Sequence, residues 1–201
     1  LPNPVFIPEK VERANTLSLD GENINIFYPT WLRQIKNPEA AMNLLENLKS
    51  KYSNLRIYLF ESNTISTTVR TSLDRLKDHI IWLPLASQEE MREYYAHDWD
   101  LVIGSFYDKK PYAILNMIEL ESMAYRLPVV AIDLYEVLKY PLWDVESIAQ
   151  NLIEDSEFRK WYIEKNLDYI REIHSPESVS LKYLSLLESH IFTHESSNNG
   201  R

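Results

Sequence analysis

Five short apolar runs, each followed by a stretch with helical periodicity, constrain this chain more than any other feature. They lie at 23–28, 55–60, 79–83, 100–104 and 128–132. All are short, rich in β-branched and aromatic residues, and read as strands. Parallel strands need long crossovers, usually helical, whereas antiparallel ones can be joined by tight turns. Strands alternating with helices of about 10 to 15 residues therefore predict an α/β fold built on a doubly wound parallel sheet.

The intervening helices carry their own signals. Asn37-Pro38 predicts an N-cap and a first-turn proline, with Ala41, Leu44, Leu45 and Leu48 on one face. A second helix is expected over 65–76, and Ser87-Gln88-Glu89-Glu90 spells a capping box that opens a third. After the fifth strand come three more helical patterns, at 144–154, 156–171 and 176–191, the last beginning at Ser175-Pro176. The expected organisation is a Pro- and polar-rich linker or lead-in over 1–22, a Rossmann-like unit over 23–192, and a polar tail over 193–201. The opening Leu1-Pro2-Asn3-Pro4, without an initiator Met, leads us to expect a fragment or a processed product.

Composition removes whole classes of function. The formal net charge of -9 argues against nucleic-acid binding, which rests on clustered Lys and Arg. No run approaches the length of about 18 apolar residues that a membrane helix needs. With no Cys, disulfides, thiolate zinc sites and cysteine nucleophiles are all excluded, and the expected setting is the cytoplasm. His190 and His194 have no third ligand in sequence, so no metal is expected. Ser87 and Ser105 lack the Gly-x-Ser-x-Gly turn of serine hydrolases. No Gly-x-Gly-x-x-Gly is present, which sets a nicotinamide dehydrogenase aside. Only Gly21, Gly104 and Gly200 are glycine, a shortage for a sheet whose loops approach phosphate.

The most informative segment is Glu121-Ser122-Met123-Ala124-Tyr125-Arg126-Leu127-Pro128-Val129-Val130-Ala131, a helix, a short turn and a buried strand. It resembles the signature helix of the GT-B glycosyltransferases, in the C-terminal half that binds the nucleotide sugar, particularly the retaining group 1 type. The resemblance extends over nearly the whole chain. Thr30-Trp31-Leu32-Arg33-Gln34-Ile35-Lys36-Asn37 is similar to the family's Gly-Arg-Leu and Lys-Asn segment after strand one, with Thr30 and Trp31 replacing Gly and Arg. Gly104-Ser105-Phe106-Tyr107-Asp108 resembles the end of strand four. Lys110-Pro111-Tyr112-Ala113 looks like the family's Pro-Phe-Gly, and Asp144 to Ala149, Arg159 and the helix after Ser175 resemble its closing helices.

The resemblance implies a division of labour among these residues. Glu121 would hold the donor ribose, while Lys36, with Arg33 replacing the lost arginine, would neutralise the diphosphate. Asp108 would take the family's first, catalytic acidic position if a few residues are inserted; with strict spacing Ala113 occupies it. Thr30, Tyr112 and Ala113 would line the donor, and Trp31, Tyr107 and Tyr112 fall at strand ends where a base or sugar could stack. The implied activity is transfer of a sugar from a nucleotide sugar, with no cofactor beyond that donor. The implied partner is an N-terminal glycosyltransferase domain of the same protein, carrying the acceptor and any peripheral membrane association. Without it the chain should bind donor but hardly turn over. The filled glycine positions keep a second reading open, a degenerate glycosyltransferase-like domain serving as a non-catalytic interaction module. A receiver-type regulatory domain is disfavoured because paired Asp residues are missing after strand one.

Overall fold

Alternating side chains along the strands divide the interior into two cores, one on each face of the sheet. A computed structural model describes residues 2–14, 17, 19, 21–30, 32, 36–61, 65–106, 116–131 and 144–198, with side chains up to 187. The strands are β1 (Ile24–Tyr28), β2 (Leu55–Phe60), β3 (Ile80–Leu83), β4 (Leu101–Ile103) and β5 (Val129–Val130). All pair in parallel, in the order β3-β2-β1-β4-β5. Val102 pairs with Val129 and Ile103 with Val130, so strands four and five are neighbours, as the doubly wound reading requires.

Successive residues of a strand point to opposite faces. Ile26, Tyr28, Ile57, Leu59, Leu101, Ile103 and Val130 feed one core. Phe27, Tyr58, Val102, Val129 and Ala131 feed the other. The first is covered by α1 (Pro38–Lys51), α2 (Thr67–Leu76) and α5 (Val145–Glu154). The second lies under α3 (Gln88–Tyr95) and α4 (Met117–Ala124). Burial on both faces explains why the strands read as continuous apolar runs. The second core is aromatic: Phe27 stacks on Trp99 with centroids 4.7 Å apart, and Tyr58 meets the same indole edge-on at 4.9 Å.

Most expected helices form where the sequence placed them, with one change of mechanism. Ser87 and Glu90 make the full capping box. Asn37 precedes α1 with φ 45° and makes no side-chain cap bond. Its value is its tolerance of the left-handed region, not a capping oxygen. α6 (Ser156–Tyr169) continues into a π-helical turn, Ile170–His174, before α7 (Pro176–Asn198). The backbone of α7 is thus helical beyond 193, where the sequence reading placed a polar tail. The Tyr162 hydroxyl donates to the Val129 carbonyl at 2.8 Å, fixing α6 to the edge strand.

The lead-in residues cross the second core without regular structure. Val5 N donates to the His174 carbonyl at 2.7 Å, and a His174 Nδ1 contact of 2.8 Å to the Asn3 carbonyl closes the same clasp. Further along, Ala14 N donates to the Ala96 carbonyl at 3.0 Å and Arg13 pairs with Asp98 at 2.8 Å.

Candidate functional site

Helix α4 positions the chemistry. It begins beside the exit of β4 and runs back toward β5, so its first turn lies at the carboxyl edge of the sheet. In doubly wound folds, ligands bind along that edge near the point where strand order reverses, here between β1 and β4.

A buried polar knot holds this first turn. Glu119, 1% exposed, accepts from Ser105 N at 2.7 Å and Asn116 Nδ2 at 2.9 Å through Oε1, and from Asn116 N at 2.7 Å through Oε2. Asn116 Nδ2 also reaches Ser105 Oγ at 3.0 Å. On its other side, Asn116 Oδ1 accepts from Lys36 Nζ at 2.8 Å. Gly104 makes the knot possible: a Cβ there would lie 2.8 Å from both Glu119 Cγ and Ala131 Cβ. This glycine serves the approach of a carboxylate to backbone, a need the sequence reading did not identify.

Glu121, two residues on, faces a different environment. It is half-buried and borders a groove made of two hollows of about 490 and 320 Å3, which share Gln88, Tyr95, Met117 and Glu121. One hollow reaches Pro29, Phe60 and Leu85, which follow or end β1, β2 and β3. The other runs beneath Val5 and Phe6 and past Arg92 and Tyr125. Burial raises the Glu121 pKa above the ordinary carboxylate value, against the lowering influence of Tyr95 and Arg92. The buried Tyr95 hydroxyl lies beside this carboxylate without a hydrogen bond of normal geometry, and its own pKa is raised, by burial first and then by Glu121.

The expected site residues that are described occupy distinct positions around α4 and β1. Glu121 lines the groove, whereas Lys36 sits at the turn before α1, tied to the N-terminal end of α4. Thr30 is buried after β1, with no hydrogen-bond partner for its hydroxyl among the described residues. Arg33, Tyr107, Asp108, Tyr112 and Ala113, with Trp31, lie outside the described residues. The sequence reading missed Glu119, Asn116, Tyr95 and Arg92. Of these, Asn116 and Glu119 had the plainest signal, the three-residue spacing of a capping box at the start of α4. Among the described residues, no group of three or more His, Asp or Glu is arranged to hold a metal ion.

No family model and no curated protein matches the sequence. Solved structures do match the fold. TarM of S. aureus, solved with fondaparinux, α-GlcNAc-glycerol and UDP, superposes with a TM-score of 0.63 at 14% identity, over 88% of this chain and 37% of that one. The C-terminal domain of LpcC, a glycosyl transferase group 1 family protein from Francisella tularensis, gives 0.55 at 17% identity, over 77% of this chain and 86% of that domain. The fold is that of a GT-B C-terminal domain. The trehalose-6-phosphate phosphatase N-terminal domain of Candida albicans also matches, at 0.64 and 13% identity over 85% of this chain and 42% of that one. The chain thus spans well under half of the TarM chain. No helix among the described residues is long and apolar enough to cross a membrane.

Proposed function

We propose that this chain is the donor-binding half of a glycosyltransferase and takes a nucleotide sugar in the groove beside α4. One observation carries the reading: in a GT-B C-terminal fold, Glu121 presents a half-desolvated carboxylate to a groove at the carboxyl ends of the strands. A carboxylate short of donors is suited to the vicinal hydroxyls of a ribose. Lys36, beside the N-terminal end of α4, supplies a cation where helix amides also favour an anion. Such a site works on a departing diphosphate by fixed charge, without a nucleophile of its own. The acceptor belongs to a separate N-terminal domain, and the setting is cytoplasmic.

Calorimetry with UDP, GDP and ADP at low and high salt tests this. One nucleotide should bind weakly, and Glu121→Ala should weaken it by about 1.5 to 3 kcal/mol, the range for hydrogen bonds to a charged group. Lys36→Ala should also weaken it, by an amount that shrinks as salt screens the phosphate. No binding of any of the three at millimolar concentration would leave the interaction module as the function. Binding unchanged in Glu121→Ala would remove the ribose assignment while leaving the fold intact.

A further inference from the structure

The buried knot beneath the first turn of α4 has more connections than holding a helix end requires. Glu119 accepts three hydrogen bonds, two of them from the backbone and side chain of Asn116. A carboxylate only accepts, so the Asn116 side chain must turn its NH2 toward Glu119, where it also reaches Ser105 Oγ. That leaves Oδ1 on the far side, where it receives Lys36 Nζ at 2.8 Å. The Lys36 backbone is tied to the same place, since Phe106 N donates to its carbonyl at 3.3 Å. Three segments distant in sequence, the turn before α1, the exit of β4 and the start of α4, are thereby locked together around one ammonium group.

We propose that Glu119 is a positioning residue for Lys36, acting through the amide orientation of Asn116. This rests on the donor-binding reading above. A lysine side chain free in solvent must be ordered when an anion arrives, at an entropic cost. Here the ordering is complete beforehand, because the buried carboxylate dictates which end of Asn116 meets the ammonium. Gly104 belongs to the same device: with a Cβ at that position, 3.0 Å from Glu119 Oε1, the carboxylate would have to move and the amide would lose its template. Glu119→Gln is the informative change. The carboxamide keeps the volume but replaces one acceptor oxygen by NH2, which then faces the N–H of either Ser105 or Asn116.

The test is a coupled cycle on the full chain, titrating UDP, GDP and ADP into wild type, Lys36→Ala, Glu119→Gln and the double variant at two salt concentrations. Glu119→Gln should weaken nucleotide binding about tenfold, the equivalent of one charge-assisted contact. Its salt dependence should flatten to that of Lys36→Ala, and adding it to Lys36→Ala should change affinity little. A merely structural Glu119 would lower the melting temperature and leave both affinity and salt dependence alone, which overturns the proposal. So does a double variant whose loss is the product of the two single losses. If Glu119→Gln does not fold, Asn116→Ala takes its place in the same cycle with the same expectations. A wild-type chain that binds none of the three nucleotides removes the donor-binding reading itself, a result distinct from normal binding without coupling.

Discussion

Two glutamates on one short helix show how the same side chain is put to opposite uses. Glu119 is enclosed, and every direction around its carboxylate that matters is filled by an N–H of the protein. Glu121 is half desolvated, its pKa raised by burial, and it borders a groove. The protein supplies Glu119 with three N–H donors, whereas Glu121 is left with desolvation only partly offset by Tyr95 and Arg92. The inner residue organises the turn, and the outer one keeps capacity for a ligand.

That contrast can be broken most visibly from the inside. Glu119→Ala should strand the N–H groups of Ser105 and Asn116 and destabilise the fold by about 3 kcal/mol, since each buried donor left unpaired costs roughly 1 to 3 kcal/mol. Urea denaturation measures this, and a loss within error would show that water can replace the carboxylate. Gly104→Ala should cost about 1 to 3 kcal/mol by overpacking, because the new methyl meets Ala131 Cβ at 2.8 Å as well as Glu119. An unshifted denaturation midpoint would mean that β4 and α4 part easily.

The smallest effect comes from outside, and its sign is opposite. The Glu121 pKa is raised from 4.5 in the folded chain, so the folded state holds this proton more tightly than the unfolded one. The stability linked to it is fully present below pH 4.5 and is lost as pH rises through the folded-state pKa. Glu121→Gln, which cannot ionise, should therefore melt slightly higher than wild type at neutral pH, with the gain disappearing below pH 4.5. Thermal melts at both conditions decide it: a gain of equal size at both would assign the effect to packing instead of charge.

The architecture was legible in the sequence because it is written in local periodicity. β2 spans the run expected for it, and Ser87 caps α3 through the residues that spelled the box. The strand order could be anticipated because parallel strands joined by helices admit few topologies. Asn37 shows where local reading stops: its type marked the start of α1, but the feature used is its φ and not its oxygen. The site was less legible, because its partnerships join distant segments. Lys36 and Asn116 meet only after β1 and β4 have paired, and the capping-box spacing of Asn116 and Glu119 announces a helix start but not that Glu119 is the buried member of the pair. Glu121 could be singled out through its resemblance to a known helix. Arg92 and Tyr95 could not, since their relevance depends on α3 lying against α4 across the groove.

The π-helical turn at Ile170–His174 has a consequence for how insertions and deletions act on this chain. A π turn accommodates one residue more than the α-helix around it, and it occurs mostly as a single wide turn within α-helices. The widened turn absorbs that residue, because each of its steps rotates by less than about 100°, the α-helical step. Removing one residue from 170–174 would let the segment relax to α geometry with little change of phase, and the extended backbone of Ser175 separates it from α7 in either case. Such a deletion should therefore leave His174 facing Asn3 and Val5, with the opening segment still clasped over the aromatic core. The wide turn works as a one-residue buffer, letting this stretch differ in length while the contacts on either side of it stay in place.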